Sequence, residues 1–444
     1  MRDLLLALLL VSSLPLIIVR PYVGVFVWCV VSLMNPHQMA YGFISSAPVA
    51  LLVAGSTLIG LVVSRETKRL PGDPVVICIM LLAFWVSVST VFALRPDVAF
   101  PLWDRTIKMF LMVLVGLALI RSRQRLHALV WIMVVSIGFY GVRGGLFTLV
   151  TGGGGRVVGP PTTMIGDNNS LAAALIMTLP LMRYLHLQSA NRWIRLGMAG
   201  AMGLTALSVL GSFSRGALLA AVAMFFWMLV RSRKRMMILA LGATFAIGGL
   251  FLMPESWHDR MNTISDYQDD ESAMGRLDAW TFAFNLAVER PLVGGGFRIN
   301  LDRDLFLRLS PEAGINRAFH SIYFQVLGEH GFVGLGLFLA TLALAFFKAG
   351  ALSRQCAGDP KLAWARDLGA MTQVSLVGYA AGGAFLDLAF FDLFYFVALL
   401  PVMASWILAN PPPVVWKPKP VKSQVPGRGR PRRAALPPST DALS

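Results

Sequence analysis

Residues 128–150 read ALVWIMVVSIGFYGVRGGLFTLV, twenty-three residues with one charge, Arg143. A helix crosses a bilayer on about 20 mostly apolar residues. The segment directly before it, RSRQR at 121–125, carries Arg121, Arg123 and Arg125. Basic residues gather in cytoplasmic loops, so this stretch supplies both a crossing and its sidedness. Comparable stretches lie near 46–63, 75–93, 106–120, 171–184, 196–211, 216–230, 236–253, 320–347, 368–386 and 393–409.

The composition agrees with that reading. Of 444 residues, 56% are hydrophobic and 14% charged, against roughly 25% charged in soluble proteins, and mean hydropathy is +0.66. A soluble globular enzyme, a disordered chain and a disulfide scaffold are excluded. Cys29, Cys78 and Cys356 lie in or beside apolar stretches and suggest neither a disulfide nor a zinc spacing. No two of the six histidines stand three or four apart, so no metal-binding helix is visible; neither a metal nor a cofactor is expected.

The net charge of +16 would suggest nucleic acid in a soluble protein. Here the excess follows the positive-inside rule, and no nucleic-acid partner is expected. Clusters at 65–69, 121–125, 183–195, 231–235 and 348–366 occupy every second loop. Residues 4–34 are apolar but broken at Arg20-Pro21. One crossing there gives 12 spans with both ends cytoplasmic, the preferred reading; 13 with an external N-terminus is the alternative. Residues 1–19 mimic a signal sequence without a convincing cleavage site and are read as retained. The fold expected is an all-α polytopic integral membrane protein of about 12 transmembrane helices.

Residues 1–253 are read as helices with short loops, 254–319 as an external, partly helical loop domain, 320–410 as the C-terminal helices, and 411–444 as a disordered basic cytoplasmic tail touching anionic membrane lipid. The loop carries eleven acids, seven arginines and no lysine. SAMGRLDAWTFAFNLAVERP reads as a helix that Pro291 ends.

Arginines against the positive-inside pattern need a reason. Arg215, in GSFSRGALLA, sits at the outer end of two spans joined by almost no loop. Its guanidinium fork suits paired phosphate oxygens; a partner carboxylate in the loop is the plainer reading. Arg276, in MGRLDAW, begins the apparent loop helix, where free N–H groups attract an anion, or it pairs with Asp278 or Glu271 at the surface. Arg143 and Arg156 flank GGGG at 152–155, which lacks the GKS or GKT of a P-loop. His320 opens a span and can take a proton from a sugar hydroxyl; capping or interfacial anchoring is the alternative. Glu329 lies more than two turns on. Asp387 and Asp392 occupy the last outer turn, and Asp167-Asn168-Asn169 supplies polar contacts or a helix cap.

SRG at 214–216, Arg276 with Trp280, and FHS…GEHGFVGLG from Phe319 to Gly336 together resemble the O-antigen ligase and polymerase superfamily. GPPTTMIGDNNSLAAAL at 159–175 resembles that family's polar segment ahead of a span. NPHQMAYG at 35–42 resembles the O-glycosylation ligase subgroup found beside exosortase systems. His330 stands where the family often has an apolar residue. The resemblance implies glycan transfer from undecaprenyl diphosphate, at the periplasmic face of the bacterial inner membrane, to an acceptor. Lipid A–core is the expected acceptor, as in lipopolysaccharide biosynthesis; a growing glycan (polymerase) or a protein hydroxyl (oligosaccharyltransferase) are the alternatives. It further implies Arg215 and Arg276 on the diphosphate and His320 on the acceptor hydroxyl; Arg143, Arg156, Asn168, Glu329 and Asp387 are read as supporting candidates, no motif fixes Asp387, and the role of Glu329 stays open. No carboxylate is placed by motif as a nucleophile, so a metal-free, inverting displacement is expected. A lipid-glycan transporter would carry internal repeats and central charges, and neither is visible.

Overall fold

In the computed structural model, residues 2–40, 42–66, 68–232, 234–262 and 271–411 are described. Every regular element among them is helical. In chain order the first helices are α1 (Arg2–Val19), α2 (Pro21–Cys29, continued by a π-helical turn Val30–Met34), α3 (Val49–Val63), α4 (Pro74–Val91), α5 (Pro96–Leu119) and α6 (Arg123–Val150). There follow α7 (Asn168–Gln188), α8 (Arg192–Gly211), α9 (Arg215–Arg231) and α10 (Arg235–Leu252). The long loop folds as α11 (Glu255–Asn262), α12 (Glu271–Glu289) and α13 (Arg303–Leu309). The chain closes with α14 (Ile322–Gln355), α15 (Ala363–Gly383) and α16 (Asp392–Ala409).

Seven of these (α1, α4, α6, α7, α8, α14 and α16) are long and apolar enough to cross a membrane. Pro21–Met34, Val49–Val63 and Arg235–Gly249 are apolar but shorter. The count falls below the twelve expected for local reasons: α5 carries Asp97, Asp104, Arg105 and Lys108 in its first half, α9 has 17 residues, and α15 opens with Arg366-Asp367. The stretch 4–34 is two helices, because Pro21 cannot continue the first.

The expected basic loops meet at one end of the bundle. Arg125 forks onto Glu66 at 2.7 and 2.8 Å, Lys348 pairs with Asp73 at 2.8 Å, Gln188 donates to Asp367, and Arg231 donates to Gln373. The opposite end joins the other loops. There the Gly42 N–H donates to Asp3 at 3.0 Å, the Trp28 indole donates to Asp392, Leu94 N–H donates to Gly295 O, and Val157 N–H donates to Gly211 O. The start of α1 therefore lies at the end opposite the basic loops, a placement that departs from the preferred sidedness of the N-terminus.

Helices α7 and α16 are the most enclosed, and α1 is bare along most of its length. Between apolar helices in lipid, attraction rests on close packing of small residues rather than on water exclusion. Helix α6 does this with Gly141, Gly144 and Gly145 against Leu204, Thr205 and Ser208 of α8. Around α12 and α13 a separate apolar cluster forms from Phe282, Leu286, Ile299, Phe306 and Phe319. It gives the long loop its own core, and α12 stops just before Arg290-Pro291 as its sequence predicts. The helices up to Ala409 form one compact unit; the tail expected from 411 lies, beyond Pro411, outside the described residues.

Candidate active site

The site is built on the turn between α15 and α16, at the end away from the basic loops. Phe385 of that turn is a shared floor. A Cβ on Gly216 would stand 2.9 Å from the Phe385 Cβ, so the start of α9 seats directly against it. The Arg276 guanidinium lies 6.0 Å from the same ring's centroid. Two residues on, Asp387 Oδ2 is 3.7 Å from His320 Nδ1. Its carboxylate faces the backbone N–H groups of His320 and Ser321. Arg215, Arg276, His320 and Asp387, far apart in sequence, thus gather at one turn.

Each is held by its own local structure. Ser214 caps α9 through the Ala217 N–H, placing Arg215 at its first helical position, where the helix dipole already favours an anion. Asn168 donates to Ser212 O at 2.7 Å and steadies that turn from the α7 side. Asp167 is the N-cap of α7, accepting from Asn169 and Ser170. Arg276 is not at a helix start: α12 begins at Glu271. Its backbone N–H is therefore spent inside the helix, and only its side chain is offered. On the same helix the Trp280 indole donates to Phe319 O at 2.8 Å and its ring stacks on Phe324. That bond fixes the residue before His320.

His320 has φ 46, a left-handed conformation that costs a non-glycine residue about 1–3 kcal/mol. The N-cap position of α14 belongs to Ser321, so His320 is not a helix cap. Its imidazole is 46% exposed. Partial burial and then the Arg276 charge hold its pKa below the usual histidine value, with Asp167 opposing and Arg317 adding to the depression. It is a neutral base at neutral pH. Shielding from water pushes the Asp387 carboxyl up to about 7, and its Oδ1 has no hydrogen-bond partner among the described residues.

Beside this cluster lies a polar cavity of about 790 Å³. Asp387 and Glu329 line it with Arg105, Arg298, Gln325 and Asp392. Three of its lining residues, Asn35, Thr162 and Arg298, also have positive φ; such strain clusters at functional sites. Glu329 accepts from the Arg298 N–H at 3.0 Å and from Gln325 at 3.4 Å. It lies two residues before α14 breaks at Gly331 (φ 69, ψ −171). The break frees the carbonyls of Gly328 and Glu329, which accept from Gly295 and Gly296 at 2.9 Å each, and Phe332 N–H donates to Pro291 O. His330 is wholly buried there, sharing a 2.6 Å hydrogen bond with Ser89, which makes it a fastening of the kink.

Arg143 and Arg156 stand apart from the cluster and line a second cavity with Arg2. Arg105, Arg298 and Arg317 escaped the sequence reading. The glycine run before Arg298 was its only signal. Among the described residues, no group of three or more His, Cys, Asp or Glu side chains is placed to hold a metal ion.

Residues 200–339 match the family described as O-antigen ligase. Residues 1–190 match a family described as of unknown function, DUF5935. No curated protein matches the chain. The first match spans Arg215, Arg276, His320 and Glu329 and supports the O-antigen ligase and polymerase superfamily; it does not reach Arg143, Arg156, Asn168 or Asp387. Neither match bears on the exosortase-associated subgroup.

Proposed function

We propose that the protein is an O-antigen ligase: a glycosyltransferase that moves a glycan from undecaprenyl diphosphate to lipid A–core at the periplasmic face of the inner membrane. The observation carrying this reading is the convergence of Arg215, Arg276, His320 and Asp387 around one turn, inside and just beyond the segment that matches the ligase family. In this reading the chain follows the thirteen-span alternative, with an external N-terminus. The basic loops supply the cytoplasmic end, and the start of α1 falls on the periplasmic side.

In this reading, Arg215 and Arg276 grip the diphosphate. Negative charge grows on that leaving group in the transition state, so fixed guanidinium donors act more strongly there than in the ground state. His320, neutral and partly exposed, takes the proton of the acceptor hydroxyl as the new carbon–oxygen bond forms and the bond to the diphosphate breaks. Asp387, with Oδ2 3.7 Å from His320 Nδ1, orients the imidazole. A single displacement inverts the anomeric carbon and needs no metal.

Reconstitution of the purified protein with labelled carrier-linked glycan and rough lipopolysaccharide tests the assignment. Label is expected on the lipopolysaccharide. Longer carrier-linked polymer would make the protein a polymerase, label on protein an oligosaccharyltransferase, and a change of sidedness without a new bond a transporter.

A further inference from the structure

The second cavity, of about 870 Å³, lies between the start of α1, the outer part of α6 and residues 156–161. Arg2, Arg143 and Arg156 all line it, and none of its lining residues is acidic. None of the three arginines forms an ion pair among the described residues. Three like charges around one space repel one another, and a ligand bearing several negative charges relieves that repulsion.

Apart from Gln38 and Tyr140, the remaining walls are apolar, including Leu5, Leu6, Phe139 and Phe147. The α1 wall continues into a face that leaves Leu4, Leu8 and Val11 exposed. Apolar walls beside an arginine cluster fit an amphiphile better than a free anion.

The cavity also has a neighbour. Gln38 lines both this space and the polar cavity bounded by Asp387 and Glu329, and it accepts a 3.1 Å hydrogen bond from Thr162. Behind it, Val157 N–H donates to Gly211 O and the Arg156 guanidinium lies 6.0 Å from the Phe213 ring centroid. The second cavity therefore backs onto the turn that carries Arg215.

We propose that this cavity seats the phosphorylated lipid end of an acceptor glycolipid, whose sugars pass Gln38 into the polar cavity and present their hydroxyl near His320. The inference rests on the transfer reading above and extends it. It assigns acceptor recognition to Arg2, Arg143 and Arg156, outside the segment that matches the ligase family.

The test is equilibrium binding to the full-length protein in nanodiscs of zwitterionic lipid. The probes are rough lipopolysaccharide, the same molecule after enzymatic removal of its phosphates, phosphatidylglycerol, and the carrier-linked donor. R143Q/R156Q is expected to weaken binding of rough lipopolysaccharide by about tenfold or more, the scale of losing charge-assisted hydrogen bonds. The dephosphorylated probe should bind weakly and ignore the substitutions. R143K/R156K should recover part of the affinity, and donor binding and melting temperature should stay as in wild type. Unchanged affinity in the glutamine variant overturns the proposal. So does competition by phosphatidylglycerol as strong as by lipopolysaccharide, or a loss confined to the donor. Binding is read without turnover: a protein that ligates but shows no phosphate-dependent binding refutes this site alone. Phosphate-dependent binding without transfer strikes the proposed function and leaves the site standing.

Discussion

Gly331→Ala should unseat the loop that carries Arg298. At φ 69 and ψ −171, Gly331 occupies a region almost closed to other residues, and an alanine there costs about 1–3 kcal/mol. The new Cβ would also stand 2.6 Å from Pro291 O and from the Leu292 carbonyl carbon, so backbone must move on one side. The movement threatens three hydrogen bonds of 2.9 Å, from Gly295, Gly296 and Phe332, worth about 1 kcal/mol each. The local loss is roughly 4–6 kcal/mol. Hydrogen exchange at Gly295 and Gly296 should then accelerate by about 10³-fold or reach the unprotected limit, and transferase turnover should fall as Glu329 loses the Arg298 N–H. Gly336→Ala is the control: it lies on the same helix with open space around it, and should be neutral or stabilising by about 1 kcal/mol. If Gly331→Ala exchanges and turns over like Gly336→Ala, the kink does not hold the loop and this reasoning fails.

Arg215→Lys and Arg276→Lys should each retain little transfer, because a point charge lacks the paired fork; alanine at either should lower turnover by about 10²–10³-fold. Near-wild-type rates in folded alanine variants would remove both from the mechanism. Asp387 has a raised pKa, so the fold favours its protonated form and loses stability as pH rises toward and through about 7. Asp387→Asn should accordingly raise the melting temperature more at pH 8 than at pH 5, and equal shifts would count against a charged Asp387. For His320 the sign is opposite: its pKa is lowered, so both the free base and its share of stability are lost as pH falls below the ordinary histidine range. A pH–rate profile should fall on that acid side in wild type. A cysteine at Asp3, in a cysteine-free background, should react with a membrane-impermeant maleimide from the periplasmic side; labelling only after permeabilisation would restore the cytoplasmic N-terminus.

What the sequence discloses follows the range of the interactions involved. The apolar runs, the break at Arg20-Pro21 and the end of α12 before Pro291 are local effects and can be read directly. The side on which α1 begins depends on Asp3 meeting Gly42, a contact no hydropathy window sees. Arg276 looked like a helix start because its apolar periodicity begins there, whereas the helix extends back to Glu271. The glycines at 294–296 and 331 are visible as glycines, but their mutual docking is a long-range backbone contact. Asp387 carries no motif of its own. Only the fold of the last two helices brings it within 3.7 Å of His320.

The most direct test of the central claim separates binding from chemistry at His320. Purified wild type, His320→Ala and His320→Gln would be compared for carrier-lipid affinity, melting temperature and single-turnover transfer to rough lipopolysaccharide. A base acting on the acceptor hydroxyl contributes about 10²–10⁴-fold. The account predicts a loss of that size in both variants, with donor affinity and stability close to wild type. A stable His320→Gln protein that transfers glycan at the wild-type rate would contradict it.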